Sequence, residues 1–299
     1  MNWITALQNA VDYIEDHLTE EIDYECAARA AASSCHHFQR VFHILFGITV
    51  GEYIRARRLT MAGAELAAGA KVLDTALRWG YDSPDSFARA YQRFHGFLPS
   101  QTRDSGRMVK SFSRLSLEFT VKGGTVMEYR LEEKEAFTLV GYKRRFTGTA
   151  DRRLRQEHVF YCSTRFNQFA LEGMAGDCDT HYNIMTHFAD DGYDYYIASL
   201  LQSDMLEDYE SMIGEEAARF ERIGIPAGLY LICETERCQW PTNEVEGVRR
   251  LAVTEWMPSL GYELDNRPEL SVNHWPKKDW EAHMHERYVE LWLPVVKKA

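Results

Sequence analysis

Apolar residues recur at helical spacing through the first hundred positions. In ITALQNAVDYIEDHL, residues Ile4, Leu7, Val11, Ile14 and Leu18 follow a 3-4-3-4 spacing, which predicts an amphipathic helix over 4–18. Residues 24–104 continue in short helical blocks, punctuated by Gly47, Gly51, Gly63, Gly69, Gly80, Gly96 and Pro99. No alternating strand pattern appears before about residue 112. The stretch SFSRLSLEFTVKGGTVMEYRLEEKEAFTLVGYKRRF is then β-rich, with a Gly123–Gly124 turn, and we place a linker at 105–126. Beyond it strands and helices alternate. Two strands are expected over 126–147, a helix over 151–172, and strands at DTHYNIMTHFA and YDYYIASLLQ. The same order recurs as a strand pair around FERIGIPAGLYLICET, a helix at 242–257, and strands PELSVNHW and RYVELWLPVV. The pattern predicts a multidomain chain. An all-α double helix-turn-helix domain comes first, over 1–106. An α+β domain of two similar strand-helix-strand-strand halves follows, over 127–299.

Two segments of the helical half share one arrangement. In YECAARAAASSCHHFQRVFHILF a short Ala-rich helix ends near Ala31, and Ser33 or Ser34 can cap the next one. That second helix is expected to bury Phe38, Phe42 and Leu45, and to leave His36, His37, Gln39, Arg40 and His43 on its other sides. In VLDTALRWGYDSPDSFARAYQRFH a helix ends at Gly80, Asp82 or Ser83 caps the next, and Pro84 sits in its first turn. Phe87, Tyr91 and Phe94 form the expected buried stripe, opposite Ser86, Arg89 and Arg93. Two helices joined by a turn of a few residues is helix-turn-helix geometry, whose second helix can enter a major groove. Between the two units, TVGEYIRARRLTMAGAELAAG reads as one connecting helix.

Charge sharpens this picture. The net charge of −11 argues against DNA binding until it is divided. Residues 1–126 hold 14 Lys+Arg and 14 Asp+Glu, so all of the excess acid falls in the second half. Within the first half, Arg40, Arg55, Arg57 and Arg58 oppose only Glu52 over 34–58. Arg78, Arg89, Arg93 and Arg103 oppose Asp82 and Asp85 over 78–103. A basic face on a neutral domain is expected.

The stretch FQRVFHILFGITVGEYIRARRLTMAGAEL…VLDTALRWGYDSPDSFARAYQRFHGFLPSQTR resembles the AraC/XylS family of DNA-binding domains. Arg40-Val41-Phe42, Gly47, Tyr53-Ile54, Arg57-Arg58-Leu59, Gly80-Tyr81, Phe87, Phe94, Gly96 and Pro99-Ser100 carry the match in order and spacing. The resemblance implies a sequence-specific transcription regulator with two helix-turn-helix units in consecutive major-groove segments. By position, Ser34, His36, His37, Gln39 and Arg40 read DNA from the first unit. Ser83, Asp85, Ser86, Arg89 and Arg93 read it from the second. Arg40 or Arg89 could donate bidentately to guanine, and Gln39 could pair with adenine. The sequence departs from the family at Ala32, where Gly is usual, at Pro84-Asp85, and in its His-rich first reading helix.

The second half is similar to GyrI-like effector-binding domains, through IPAGLYLICETE, TEWMPSLGYELDNRPEL and RYVELWLPV. That resemblance implies a groove for small molecules, with a buried Glu on the strand after the Trp-x-Pro helix. The corresponding position here is Ser271; Glu269 shares its face only if the strand is regular. Tyr142, Tyr161, Tyr195, Trp240, Trp256 and Trp275 are the aromatic residues expected to line a pocket. Promoter DNA and a small-molecule effector, for which an aromatic cation is one candidate, are the partners expected. RNA polymerase would join them for an activator.

Other chemistries find less support. No GxSxG, HExxH or phosphate-binding loop is present, so no enzyme is expected, and no cofactor. The alternative is a hydrolase that pairs a Tyr with an acid in the groove and keeps the DNA-binding half as an accessory. The groups Asp177, Cys178, Asp179, His181 and Glu281, His283, His285 match no metal-ligand spacing with a second half, so no metal is expected. The six cysteines show no CxxC and read as free thiols. No apolar run reaches membrane-spanning length, and the first eighteen residues lack a signal peptide's basic and apolar segments, so a cytoplasmic bacterial protein is expected.

Overall fold

The computed structural model describes residues 3–104, 107–117, 128–148, 150–175, 177–189, 192–201, 220–276 and 279–298. They form two compact units. The first comprises Met1–Gln39 and Ile48–Val121; the second comprises Arg40–Gly47 and Lys122–Ala299.

The first unit is helical. Its elements are α1 (Trp3–Asp16), α2 (Tyr24–Ala30), the start of α3 (Cys35–Phe46), α4 (Val50–Ala67), α5 (Val72–Arg78) and α6 (Pro84–His95). Helix α1 buries Leu7, Val11 and Ile14, the stripe its spacing dictates. Asp23 caps α2, Thr49 and Glu52 form a capping box on α4, and Ser83 caps α6. The Ser34 hydroxyl accepts from the His37 N–H at the start of α3.

The two helix-turn-helix units end their first helices alike. Ala32 and Gly80 each take positive φ, at 50° and 75°. The next residue's N–H then bonds the carbonyl five positions back, Ser33 to Ala28 and Tyr81 to Ala76. Glycine adopts that conformation without strain, whereas alanine does not. Ala32→Gly is therefore expected to stabilise the first unit by about 0.5–1 kcal/mol. Denaturant titration checks this, and an unchanged midpoint would show that the turn carries no strain.

Helix α6 buries Phe87, Tyr91 and His95, while Phe94 is only half-buried. The expected stripe thus ends one residue later, on a histidine. His95 Nδ1 accepts from the Lys110 N–H at 3.0 Å, so Nε2 carries the proton and donates to the Leu59 carbonyl at 3.0 Å. Both nitrogens are satisfied in the neutral ring. Burial, above all, lowers the pKa of His95 from its ordinary 6.5. A base held neutral contributes stability above the unfolded value, and loses it as pH falls through the lowered folded value. Melting of the first unit should therefore weaken from pH 7.5 to pH 5, with a shallower decline in His95→Gln.

Residues 111–117, the start of the stretch expected to be β-rich, form no strand. They run along the helices of the first unit. The Phe112 and Leu115 N–H groups donate to Thr60 Oγ1 and Tyr53 Oη, the Leu117 N–H donates to Gln8 Oε1, and Arg114 pairs with Asp12 at 2.8 Å. Their backbone finds side-chain partners there instead of a neighbouring strand. The expected Gly123–Gly124 turn lies outside the described residues.

The second unit is built on an antiparallel sheet. Its strands are β1 (Tyr129–Lys134), β2 (Phe137–Thr147), β3 (Thr180–Ala189), β4 (Gly192–Ser199), β5 (Glu221–Ile225), β6 (Gly228–Glu234), β7 (Tyr262–Leu264), β8 (Glu269–His274) and β9 (Tyr288–Lys297). The order is β1-β6-β9-β8-β3-β4-β2-β5, with β7 paired to β9. This order reads as two matched halves meeting at the β8–β3 seam: β2-helix-β3-β4 and β6-helix-β8-β9. Each outermost strand, β1 or β5, pairs with the other half's first strand.

The helix expected over 151–172 is broken at Thr164 into α7 (Ala150–Ser163) and α8 (Arg165–Met174). The Thr164 hydroxyl donates to the Phe160 carbonyl at 2.6 Å. The helix expected over 242–257 is α9 (Val245–Leu251), a π-helical turn at Ala252–Trp256, then α10 (Met257–Leu260) with Pro258 in its first turn. Helix α11 (Trp280–His285) precedes β9.

Both sheet faces are buried. On one, Leu139, Ile184, Leu270, Val272, Ile232 and Trp292 form a continuous apolar cluster. On the other, Phe160 of α7 and Leu171 and Met174 of α8 cover Tyr142, Phe146, Tyr195 and Ile197. Gly141 is required on β2, because a Cβ there would lie 2.3 Å from the Ile197 carbonyl.

Candidate DNA interface and effector site

The expected basic face of the first unit is narrower than its arginine count suggests. Arg57 grips Glu15 through two hydrogen bonds of 2.8 Å, joining α4 to α1, and Tyr53 donates to the same carboxylate at 2.6 Å. Arg58 donates to the Leu18 carbonyl at 2.7 Å. Arg103 caps the end of α4, donating to the carbonyls of Leu66 and Ala70. These three guanidinium groups hold the fold together. Arg89 and Arg93 are exposed, one turn apart on α6. Asp85 and Ser86 are exposed beside them, and Ser83 is half-buried as the cap. Asp85 sits in the first turn, where a carboxylate favours the positive end of the helix dipole.

On α3, Ser34 is exposed, and His36, His37 and Gln39 are half-exposed. The helix buries Phe38, Val41, Phe42 and Ile44, with Leu45 only half-buried. Arg40 departs from the expectation. It was placed among the outward-facing readers, yet it is 2% exposed and belongs to the second unit.

There Arg40 Nη2 donates to Glu269 Oε2, and its guanidinium carbon lies 3.5 Å over the centre of the Phe188 ring. Glu269 is 1% exposed. Its other oxygen accepts from Arg249 Nε at 2.6 Å, and Arg249 Nη1 donates to Glu246 at 2.7 Å. Strand β8 is regular from Leu270 to His274 in its pairing with both neighbours, so Glu269, Ser271 and Asn273 share one face. The buried acid is therefore Glu269, two residues before the expected Ser271.

A cavity of about 240 Å³ opens beside Glu269, lined in part by Glu157, Met185, Phe188, Tyr193 and Arg249. Phe188 reaches it because a β-bulge adds one residue to β3 between Thr186 and Ala189. Strict alternation would turn Phe188 to the opposite face from Met185.

The six expected aromatic residues do not converge on this cavity. Tyr195 is hydrogen-bonded to Glu157 on the cavity wall and stacked on Phe146 at 5.2 Å. Burial raises the pKa of both Glu157 and Tyr195, so the Tyr195 phenol stays protonated far above neutral pH. Tyr142 is core, donating to Thr164 Oγ1 at 3.1 Å. Tyr161 lies on α7 against the same core cluster. Trp256 stacks on Tyr129 at 5.5 Å, and Trp275 meets His181 edge-on at 4.6 Å. Trp240 is 60% exposed. Phe188 and Tyr193 are the aromatic residues the sequence reading missed. Among the described residues no cluster of three or more His, Cys, Asp or Glu is arranged to hold a metal ion, and all six cysteines are unbridged. No described helix is long and apolar enough to cross a membrane.

Two family models match the chain. Residues 27–105 match a helix-turn-helix domain family, and residues 130–295 match the family described as integron-associated effector binding protein. Among curated relatives, the HTH-type transcriptional activator AarP of Providencia stuartii is 37% identical over 92 residues, covering 30% of this chain and 68% of AarP. The regulatory protein SoxS of Salmonella typhimurium is 32% identical over 98 residues, covering 32% of this chain and 92% of SoxS. The uncharacterized HTH-type transcriptional regulator YbfP of Bacillus subtilis is 33% identical over 104 residues. The match spans 34% of this chain and about a third of YbfP, 35% of its length.

Proposed function

The chain belongs to the AraC/XylS helix-turn-helix transcription regulators and carries, over more than half its length, an effector-binding domain of the integron-associated family; from that premise we propose that residues 1–106 read promoter DNA and residues 127–299 hold a small molecule that modulates the reading. The observation that carries this is the repeated unit itself. Ala32 and Gly80 close equivalent turns, and each is followed by a serine-capped helix with polar side chains outward.

Helix α3 presents Ser34, His36, His37 and Gln39, and α6 presents Ser83, Asp85, Ser86, Arg89 and Arg93. Arg89 is suited to guanine and Gln39 to adenine, while Asp85 can accept from a cytosine amino group. The effector enters the cavity beside Glu269, where Phe188 and Tyr193 offer ring faces to an aromatic cation and Arg40, Arg153, Arg249 and Arg250 line the same space. Tyr195 and Glu157, hydrogen-bonded beside the cavity, are the Tyr–acid pair that the hydrolase alternative would use; the likeness to transcription regulators favours a regulator. Transcription regulation of this kind places the chain in the bacterial cytoplasm. AarP is named as an activator; if this chain also activates, RNA polymerase is its further partner.

Selection of bound duplexes from a random pool, with and without cell extract, tests both halves. A recurring site whose recovery changes with extract is expected. No enrichment would refute DNA reading, and enrichment indifferent to extract would refute effector control.

A further inference from the structure

One buried arginine of the second unit holds no carboxylate. Arg287, between α11 and β9, is 8% exposed. Its Nη1 donates to the Gln239 carbonyl at 3.3 Å, and its Nε is buried with no hydrogen-bond partner. Among the described residues no acid pairs with it, whereas Arg249 engages two carboxylates. A buried charge without a counterion and a buried donor without an acceptor are both costly. The idle edge of Arg287, Nε with Nη2, is the side-on fork that matches the two oxygens of a carboxylate.

The surroundings of that edge are aromatic. The guanidinium carbon lies 5.4 Å from the centre of the Trp275 ring and 5.8 Å from that of Trp240. The Trp275 Nε1–H is itself buried without an acceptor. Burial pushes the Tyr161 phenol up, and the charge of Arg287 is among those that oppose the rise, which brings α7 within reach of the same guanidinium. Three of the aromatic residues expected to line a pocket therefore gather around Arg287, and none of them lines the cavity beside Glu269.

We propose that Arg287 anchors a second ligand site in this domain, which takes the carboxylate of a small aromatic acid. The two oxygens receive Arg287 Nε and Nη2, the Trp275 Nε1–H is the further donor, and the ring of the acid lies against the Trp240 indole. Trp240, 60% exposed on the segment between β6 and α9, turns outward to admit it. A monoanion balances the single guanidinium, whereas a phosphate dianion would carry one charge unmatched. The acidity of the second half gives no long-range pull on an anion, so selection comes from the desolvated fork and the indoles. The site stands independently of the Glu269 cavity and gives the domain a second class of ligand.

Phenylacetate is the probe, titrated into the full chain by calorimetry, with phenylacetamide as its uncharged counterpart. Wild type is expected to bind phenylacetate and not phenylacetamide. Arg287→Lys keeps the charge and loses the fork, so it should bind phenylacetate roughly tenfold or more weakly than wild type. Trp240→Ala removes an exposed ring and should weaken binding about threefold or more; it carries the test if Arg287→Lys does not fold. Absence of phenylacetate binding overturns the proposal, as does equal affinity for phenylacetamide or for acetate. Affinity unchanged in Arg287→Lys, or in Trp240→Ala where the lysine variant is unfolded, also overturns it. An acid held instead among the arginines of the Glu269 cavity gives that last result.

Discussion

Glu269→Gln is expected to destabilise the second unit by about 3–5 kcal/mol, the cost of leaving buried charge without its counterion. The carboxylate is 1% exposed and accepts from two guanidinium groups. Removing its charge strands both Arg40 and Arg249 in a site with few other acceptors. Arg249 keeps Glu246, which is largely exposed, and this places the cost toward the lower end of the range. By contrast, Arg40→Met in the presence of Glu269 should be nearly neutral, because one cation still matches one anion. Denaturant unfolding of the two variants gives the comparison. A loss below about 1 kcal/mol for Glu269→Gln would mean that the arginines find water readily, and that the site is not the closed cation cage described.

Arg89→Ala should weaken binding to the selected operator by about 1–3 kcal/mol, roughly fivefold to 150-fold, and relax the preference at one base position. Arg93, one turn further along the exposed face of α6, should cost a similar amount if it too reaches a base. A loss spread evenly over all sequences would assign either residue to the phosphates, with a shallower salt dependence. Arg57→Ala serves as the contrast. Its guanidinium ties α4 to α1 through Glu15, so its removal should lower the melting temperature of the first unit. Affinity measured competitively at constant folded fraction separates the two effects.

Much of the helical half was legible because its signals are local. Capping residues, the glycine turn at Gly80 and the apolar spacing of α1 and α6 act within a few positions, so the sequence displays them directly. The match between Ala32 and Gly80 was also visible, as an alanine where glycine is usual. Which arginines face outward was not legible. Arg40, Arg57 and Arg58 are drawn inward by Glu269, Glu15 and the carbonyl of Leu18, and the exposed Arg103 folds back onto the carbonyl of Leu66, all partners far along the chain.

The second half shows the same limit. The recurrence of strand-helix-strand-strand order was readable from periodicity and emerges as the matched halves of the sheet. The cavity was not, because it depends on one irregularity and on side-chain reach. The bulge in β3 turns Phe188 toward Met185, and Tyr193 and Glu157 meet it from other elements. Aromatic residues chosen by type alone went instead to core positions, as Tyr142 did, or to the surface, as Trp240 did.

The central claim is that two helix-turn-helix units read DNA together. Hydroxyl-radical footprinting of the full chain on its selected operator tests it most directly. Two protected segments on one face of the duplex, about one helical turn (roughly 10 base pairs) apart, are the predicted result, with Arg89→Ala erasing contacts in only one of them. A single protected segment, or protection without preferred position, would contradict it.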